Sequence, residues 1–497
     1  MVDLINKTKS KSVYSMFIGG RWDYSFKRPT VEVINPADET IVGWVQIGNA
    51  NDAETALAAA EAAQPAWEAM PPRERADIMY KFAELIVADK ERIAALITSE
   101  QGKLLGVARH EVEATASFIR YAAEGARRIE GDILPSDRRN EEILIEKIPY
   151  GVTVGITAWN FPVALAGRKI GPALIAGNTM VVKPPLETPL STLLLGVHAL
   201  KAGIPAGVLS IVTGTGSELG AALVSSNRTK LVTMTGSSVA GKQIARAAAE
   251  NFTAVRLELG GKAPFIVFPD ADVDKAAADA SIARFQNCGQ VCVCNERMYI
   301  HEDIYDEFMK KFMTHVNEIR VGDPTDPEVD MGPKISRKEI ENIQRLVDLS
   351  LKEGAQIIAG GTPPEGDKYS RGFWYNPTVL TEVKQSMTIV REESFGPVLP
   401  VLKFSSFDEV IKMANDCDYA LSAYVYTYDL RKIMRLKQEL DFGEIFINHE
   451  TGEQHQGFHN GYKLSGIGGE DGKYGFENYM QKKTFYLNWE DNSPSPK

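Results

Sequence analysis

Apolar and polar positions alternate with two different periods along this chain, and the changes of period mark its parts. In the N-terminal third the spacing is helical. Asn51, with Glu54 three residues later, resembles a capping box opening the Ala-rich run 53–63. Pro71-Pro72 precedes a long amphipathic stretch to about Ser99, and His110 to Arg128 repeats the helical period. From Gly151 to Gly261 the texture changes. Short β-branched runs (Val152–Thr157, Thr179–Val182, Leu209–Val212, Leu231–Met234) alternate with helical segments at 163–176, 190–202, 217–225 and 239–250. Strand, helix, strand at this spacing predicts a parallel sheet with both faces covered. A second α/β unit runs from about Ala263 to Asn448, with apolar runs Ala263–Phe268, Met298–His301 and Val398–Phe404 between helices. Segments near 130–148 and 477–490 alternate like strands. The tail Asn492-Ser493-Pro494-Ser495-Pro496-Lys497 is polar and is expected to fray.

Composition narrows the class. The 497 residues set a prior of two to four domains, and 44% hydrophobic with 24% charged residues is ordinary for a soluble globular enzyme. The formal charge of −11 makes a general nucleic-acid or anionic-membrane binder a poor reading. No apolar run reaches the ~18 residues a membrane span needs, and Met1–Lys7 has no apolar core of a secretory signal. A cytoplasmic protein is expected. Four cysteines are too few for a disulfide framework. Three of them, Cys288, Cys292 and Cys294, nevertheless crowd one short segment.

In a parallel α/β sheet, ligands bind beyond the carboxyl ends of the strands, so the loops there carry the candidate chemistry. Cys292 follows the helical run 272–286 in Gly289-Gln290-Val291-Cys292. A cysteine is nucleophilic only as its thiolate, and a glycine just before it lets backbone and substrate approach. Buried structural thiols are the competing reading for Cys288 and Cys294. No metal site is expected, because Cys-x3-Cys-x-Cys lacks a second ligand pair nearby. His449, His455 and His459 are read as solvated loop histidines rather than ligands. Glu258, in Glu258-Leu259-Gly260-Gly261-Lys262, ends an apolar run; alone it fits a capping or ion-pair role equally well. Lys183 stands at a strand end before Pro184-Pro185, placed for a ribose or phosphate, though a solvated lysine fits as well. Gly214-Thr215-Gly216-Ser217-Glu218-Leu219-Gly220 opens a helix whose free N–H groups favour an anion. It departs from the G-x-G-x-x-G fingerprint and is weak by itself.

Taken together these segments resemble the aldehyde dehydrogenase superfamily over nearly the whole chain. The motifs are Thr157-Ala158-Trp159-Asn160-Phe161-Pro162, Lys183-Pro184, Thr235-Gly236-Ser237, Glu258–Lys262, Phe285 to Cys292, Glu393-Ser394-Phe395-Gly396-Pro397 and Lys463-Leu464-Ser465-Gly466. Gln456-Gly457-Phe458-His459 and Ser465–Gly469 look like the lactaldehyde/glycolaldehyde dehydrogenase branch. The resemblance implies a Rossmann-type cofactor domain (1–129 and 149–260) and an α/β catalytic domain (261–447). It also implies a β oligomerisation arm (130–148 and 477–490) and a substrate loop and return segment (448–476). It implies NAD(P)-dependent oxidation of a small hydroxyaldehyde or sugar aldehyde. Cys292 would be the nucleophile, Glu258 the water-activating base and Asn160 an oxyanion donor, with Lys169 supporting proton relay. Thr157, Trp159, Lys183, Gly216, Gly236, Ser237, Glu393 and Phe395 would hold the cofactor. Arg168, Glu453 and His459 would hold substrate hydroxyls, and a homodimer or homotetramer is expected.

Two departures matter. Leu186 stands where NAD-preferring members carry an acid; losing that carboxylate removes the repulsion of a 2′-phosphate, so NADP use is expected beside NAD. Gly452 stands where the branch tends to carry an aromatic, which reshapes the pocket wall. A semialdehyde dehydrogenase, a CoA-acylating enzyme and a recruited non-enzyme are the alternatives. Glu258 argues against CoA transfer, and the presence of Cys292, Glu258 and Asn160 argues against a non-enzyme. Cys288 or Cys294 pairing with Cys292 under oxidation is a further expectation.

Overall fold

The computed structural model describes residues 4–7, 11–23, 25 and 28–490; the tail expectation lies outside them. The fold is α/β, built on two mainly parallel sheets. The first runs in the order Gly466–Ile467, Ala254–Glu258, Leu231–Thr235, Val152–Ile156, Thr179–Lys183, Leu209–Ile211, Phe17–Ile18, Arg21–Trp22. Its five central strands are parallel, and the pairs outside them are antiparallel. Strands read as continuous apolar runs are buried on both faces: Thr179–Lys183 is buried at every position.

The order of those strands creates the site. Val152–Ile156 is flanked by Thr179–Lys183 on one side and Leu231–Thr235 on the other. Crossovers therefore leave it in opposite directions, a topological switch point, where a crevice opens beyond the strand ends. Thr157–Pro162 emerges at that point, and Lys183, Thr235 and Glu258 end the neighbouring strands.

The second sheet has seven strands: Gln356–Ala359, Thr378–Thr381, Val398–Phe404, Asn295–His301, Ala263–Val267, Ser422–Tyr426 and Glu444–Ile447. All its pairings are parallel except that of the edge strand Gln356–Ala359. A separate antiparallel sheet joins Asp132–Pro135, Glu141–Pro149 and Met480–Asn488.

Three local expectations need correction. The helix Ala50–Ala69 is capped by Asn49, whose side chain accepts from the Asp52 N–H, while Asp52 returns the bond to the Asn49 N–H. The capping box is therefore Asn49/Asp52 rather than Asn51/Glu54. The stretch to Ser99 is two helices, Pro72–Ala88 and Lys90–Gln101, broken at Asp89, where φ −103° and ψ 17° leave the helical well. Gly216 opens a single π turn, Gly216–Gly220, ahead of the short helix Ala221–Ser225, rather than one regular helix.

Candidate active site

Between the two sheets lies a cleft of about 910 Å³ whose walls include Trp159, Asn160, Arg168, Gly236, Ser237, Cys292, Glu393, Phe395 and Glu453. Nine sequence-predicted residues thus meet in one space. Thr157, Lys169, Lys183, Gly216, Glu258 and His459 stand outside that wall, and their placement differs from residue to residue.

Cys292 owes its position to a contorted turn. Asn287, Cys288 and Gly289 all have positive φ, at 47°, 57° and 69°. Gln290 locks the turn by donating to the Asn287 carbonyl at 2.9 Å and accepting from the Ile335 N–H at 2.9 Å. A Cβ on Gly289 would lie 2.3 Å from the Gly396 carbonyl oxygen. The close approach of backbone expected at that glycine is therefore present, and its partner is Gly396. Burial pushes the Cys288 and Cys294 thiols up to about 12. Cys292 is also raised by burial, but the hydrogen bond and charge of His459 pull it back.

Asn160 is buried and donates its side-chain N–H to the Gln290 carbonyl at 3.0 Å. Its backbone carbonyl accepts from Lys103 Nζ at 2.7 Å. Lys103 pairs with Glu111 at 2.5 Å, both side chains fully buried, and Glu111 also caps the N–H groups of Val163 and Ala164 at 3.0 and 3.3 Å. This support was missed in the sequence, where Lys103 falls between the predicted helical stretches and Glu111 looks like an ordinary helix-surface charge.

Glu258 is 3% exposed, and neither carboxylate oxygen has a hydrogen-bond partner among the described residues. Burial raises it to about 8 against the opposing charge of His459. His459 itself is buried, which corrects the reading of a solvated loop histidine. Its Nε2 lies 3.5 Å from Glu258, and its Nδ1 lies 2.9 Å from Glu444 and 3.4 Å from Glu453. Burial opposes charge on the ring, but Glu453, with Glu444 and Glu258, holds its pKa well above the usual value.

The helix Pro162–Ile175 carries Arg168 and Lys169 into the same region. Arg168 ion-pairs with Asp471, with Glu453 at 3.3 Å and with Glu470 at 3.7 Å. Lys169 is fully buried, donating to Thr235 Oγ1 at 2.8 Å and to Glu470. Glu470 and Asp471 went unread; an adjacent acid pair following Gly468-Gly469 was the available signal.

Among the residues expected to hold the cofactor, Trp159 meets Phe395 edge-on with centroids 5.3 Å apart. Phe395 sits at φ 45°, held by Glu296, which accepts from its N–H at 3.0 Å and from that of Ser394 at 2.9 Å. Glu296 is buried yet held down to about 2 by Lys262 and Arg284. Glu296 lies just before the apolar run Met298–His301, in the strand Asn295–His301, and went unread in the sequence. Glu393 accepts from the Gly261 N–H at 2.8 Å, and burial raises it to about 7. Ser237 caps the helix Ser238–Ala249. The buried Thr157 hydroxyl has no partner among the described residues. Lys183 reaches the Pro184 carbonyl at only 3.4 Å, and burial lowers it to about 8. A Cβ on Gly216 would meet nothing within 4 Å. An open glycine turn, an orphaned hydroxyl and an underused ammonium at strand ends fit a dinucleotide.

Residues 22–485 match the model of the aldehyde dehydrogenase family. The chain belongs to that family. It is therefore an NAD(P)-dependent aldehyde dehydrogenase. It is 56% identical over 477 residues to 3,6-anhydro-alpha-L-galactose dehydrogenase of Vibrio sp. strain EJY3, covering 96% of this chain and 99% of that one. Lactaldehyde dehydrogenase of Escherichia coli K12 is 42% identical over 475 residues, covering 95% and 98%. A solved 3,6-anhydro-L-galactose dehydrogenase in complex with NAP superimposes with a TM-score of 0.94 at 57% identity, covering 96% of this chain and all of that one. No helix among the described residues is long and apolar enough to cross a membrane.

Proposed function

We propose that this protein oxidises a hydroxylated, sugar-derived aldehyde to its carboxylate, using NADP as well as NAD, through a thioester on Cys292. The observation that carries the reading is the meeting of Cys292 and Asn160 on one cleft wall with Glu258 held behind them through His459.

The Cys292 thiolate attacks the carbonyl carbon, and the carbonyl electron pair moves to oxygen, forming a thiohemiacetal. Asn160 spends one side-chain N–H on Gln290 and keeps the second for that oxygen, beside the Cys292 backbone N–H. One such donor is typically worth about 2.7–4 kcal/mol. Bound in the cleft, the oxidised dinucleotide supplies the two-electron acceptor. Glu258 then takes a proton from water, whose oxygen attacks the resulting thioester; the C–S bond breaks, the thiolate leaves and the carboxylate departs. Lys169, tied to Thr235 and Glu470, supports proton movement around this step.

Thr157, Trp159, Lys183, Gly216, Gly236, Ser237, Glu393 and Phe395 hold the dinucleotide on this reading. Leu186 packs partly buried against the core and leaves no carboxylate at its position to repel a 2′-phosphate near Lys183. Arg168, Glu453 and His459 face the substrate hydroxyls. Gly452 lines the cleft, and a Cβ there would touch nothing within 4 Å, so this wall has room for a ring-sized aldehyde. The similarity to anhydro-galactose and lactaldehyde dehydrogenases supports the same class. Residues 1–129 with 149–260 form the cofactor domain, 261–447 the catalytic domain and 448–476 the substrate segment. Segments 130–148 and 477–490 form an arm whose exposed Ile133, Phe485, Tyr486 and Trp489 suit a homodimer or homotetramer interface. A reducing, cytoplasmic setting keeps its thiols free.

The test is a panel of glycolaldehyde, lactaldehyde, glyceraldehyde, 3,6-anhydro-L-galactose and succinate semialdehyde, each with NAD and NADP and without CoA. The hydroxylated sugar aldehydes should give the highest kcat/KM, Cys292→Ala should be inactive, and Arg168→Ala should weaken the hydroxyaldehydes selectively. Preference for the semialdehyde or a requirement for CoA overturns the substrate reading. NAD selectivity well beyond roughly tenfold, or 1.4 kcal/mol, overturns the cofactor reading.

A further inference from the structure

One buried ion pair takes no part in the chemistry above and yet grips the loop that performs it. Lys103 stands between the helices Lys90–Gln101 and Leu105–Glu124, and Glu111 lies on the second of them. Such a pair is weak support for stability, because desolvation of the two ions offsets their attraction and well-packed apolar side chains often serve as well. Apolar side chains cannot, however, aim donors and acceptors at a backbone. The Lys103 ammonium has three N–H groups and meets three partners: Glu111 at 2.5 Å, the Asn160 carbonyl at 2.7 Å and the Phe161 ring, whose centroid is 3.5 Å from Nζ. Glu111 gives its other oxygen to the N–H groups of Val163 and Ala164, and so caps the helix Pro162–Ile175, whose N-cap residue Phe161 supplies no side-chain acceptor. The carbonyls beside that of Asn160 are engaged as well: Trp159 accepts from Thr188 at 3.3 Å, Phe161 from the Leu165 N–H at 3.0 Å and Pro162 from Thr192 at 3.0 Å. Asn160 also meets the Cys292 turn twice, giving a side-chain N–H to Gln290 at 3.0 Å and receiving one from Asn287 on its carbonyl at 3.4 Å.

We propose that the Lys103–Glu111 pair is the positioning device of the oxyanion site: by holding the Asn160 carbonyl and the start of the helix that follows, it aims the Asn160 carboxamide at the oxygen of the reacting aldehyde. The inference rests on Asn160 being the oxyanion donor. The peptide unit that carries the Asn160 carbonyl is planar, so turning it rotates the backbone of Asn160, and the carboxamide goes with it. A misplacement of about 1 Å at a reacting centre can cost about 10²-fold in rate. A pair that fixes this peptide plane therefore acts on rate as well as on stability. Lys103 and Glu111 work only through Asn160 and are positioning residues.

The test is a double-mutant cycle on the full-length protein, read in single turnovers with enzyme in excess over glycolaldehyde and a saturating mixture of NAD and NADP. Lys103→Met with Glu111→Gln removes both charges together and strands neither. On protein that melts like the wild type, it should slow formation of reduced cofactor about ten- to a hundredfold. Asn160→Ala should slow the same step by about 10²–10³. Added to Asn160→Ala, the paired change should cost less than about threefold more, because the donor it aims is gone. Exchange of the Cys292 thiol with dithiodipyridine, a reaction that forms no oxyanion, should keep its wild-type rate, with Cys292→Ala identifying the thiol. Equal slowing in both backgrounds, or a matching loss of thiol exchange, marks a general loosening of the cleft and overturns the proposal. If the paired variant does not fold, Glu111→Gln alone decides in the same cycle, since Gln keeps an oxygen for Val163 and Ala164 and withdraws the charge from Lys103. The two readings fail separately: Asn160→Ala at the wild-type rate overturns the oxyanion donor, whereas a slowed Asn160→Ala beside an unslowed Lys103→Met/Glu111→Gln overturns only the positioning.

Discussion

Replacing Glu258 by Gln removes the ionisable group and keeps its volume, which isolates its proposed work as a base. The carboxyl is held at about 8 by burial, so at pH 7 roughly one molecule in ten carries the ionised form that can accept a proton from water. The sign follows directly: the active base is the deprotonated form, and its fraction grows with pH. Where thioester hydrolysis limits turnover, kcat should climb about tenfold from pH 7 to pH 9 and then level. A positioned general base contributes typically 10²–10⁴-fold, so Glu258→Gln should lose about 3–5 kcal/mol of barrier lowering in that step. Acylation does not need this base. Stopped-flow absorbance should therefore show one rapid equivalent of reduced cofactor in Glu258→Gln, followed by a slow steady state. The same shift affects stability. An unfolded chain sheds this proton near 4.5 and the folded one near 8, so wild-type stability is lost progressively between those values as pH rises. Glu258→Gln should melt higher than wild type at pH 8 and lose that advantage by pH 4. A variant that turns over at the wild-type rate would refute the assignment of the base.

Two other substitutions test the scaffold behind the site. Lys103→Met leaves the buried Glu111 without its cation, and breaking one side of such a pair costs about 3–5 kcal/mol, here near the lower figure because Val163 and Ala164 still donate to Glu111. The urea midpoint should fall with an unchanged slope, and Lys103→Met with Glu111→Gln should recover most of the loss. Gly289→Ala places a Cβ 2.3 Å from the Gly396 carbonyl at a residue with φ 69°, and Gly396 is also held by Arg284. Activity should drop more than tenfold and Cys292 alkylation should slow, both read on protein whose circular dichroism matches wild type; wild-type kinetics would show that the turn relaxes freely.

How much of this was legible in the sequence depends on where the determining force acts. The strand ends were legible because a buried parallel strand is an uninterrupted apolar run, and the polar residue that breaks it (Lys183, Thr235, Glu258) marks the crevice. The turn around Cys292 was legible as a motif and Gly289 as a place of close approach, but its partner was not, since Gly396 is distant in sequence and only the folded packing brings them within reach. The cap at Asn49 was missed because Asn51 and Glu54 satisfy the same pattern two residues on; which asparagine caps is settled by the extended backbone of Asn49. The burial of His459 was invisible for a related reason. Its partners, Glu258, Glu444 and Glu453, come from strands of both sheets and a loop, and pairing across elements leaves no period to read.

Those partnerships decide what the cleft tolerates. Glu258, Glu444, Glu453, Glu470 and Asp471 gather around Arg168, Lys169 and His459, with Arg168 and Lys169 committed to Asp471, Glu453 and Glu470. With Glu258 protonated, four acids face three cations, so the cluster already carries excess negative charge in a poorly solvated space. A neutral hydroxyaldehyde enters without an electrostatic penalty and meets acceptors for its hydroxyls on Glu453. The carboxylate made from it brings a like charge to the same place, and like charges a few ångströms apart at low effective dielectric repel by several kcal/mol. For the proposed substrate class, such a pocket should bind the aldehyde better than the carboxylate product. On the proposed reading it should also disfavour semialdehydes, whose own carboxylate arrives before any chemistry has been done; a semialdehyde kcat/KM equal to that of the hydroxyaldehydes would refute this.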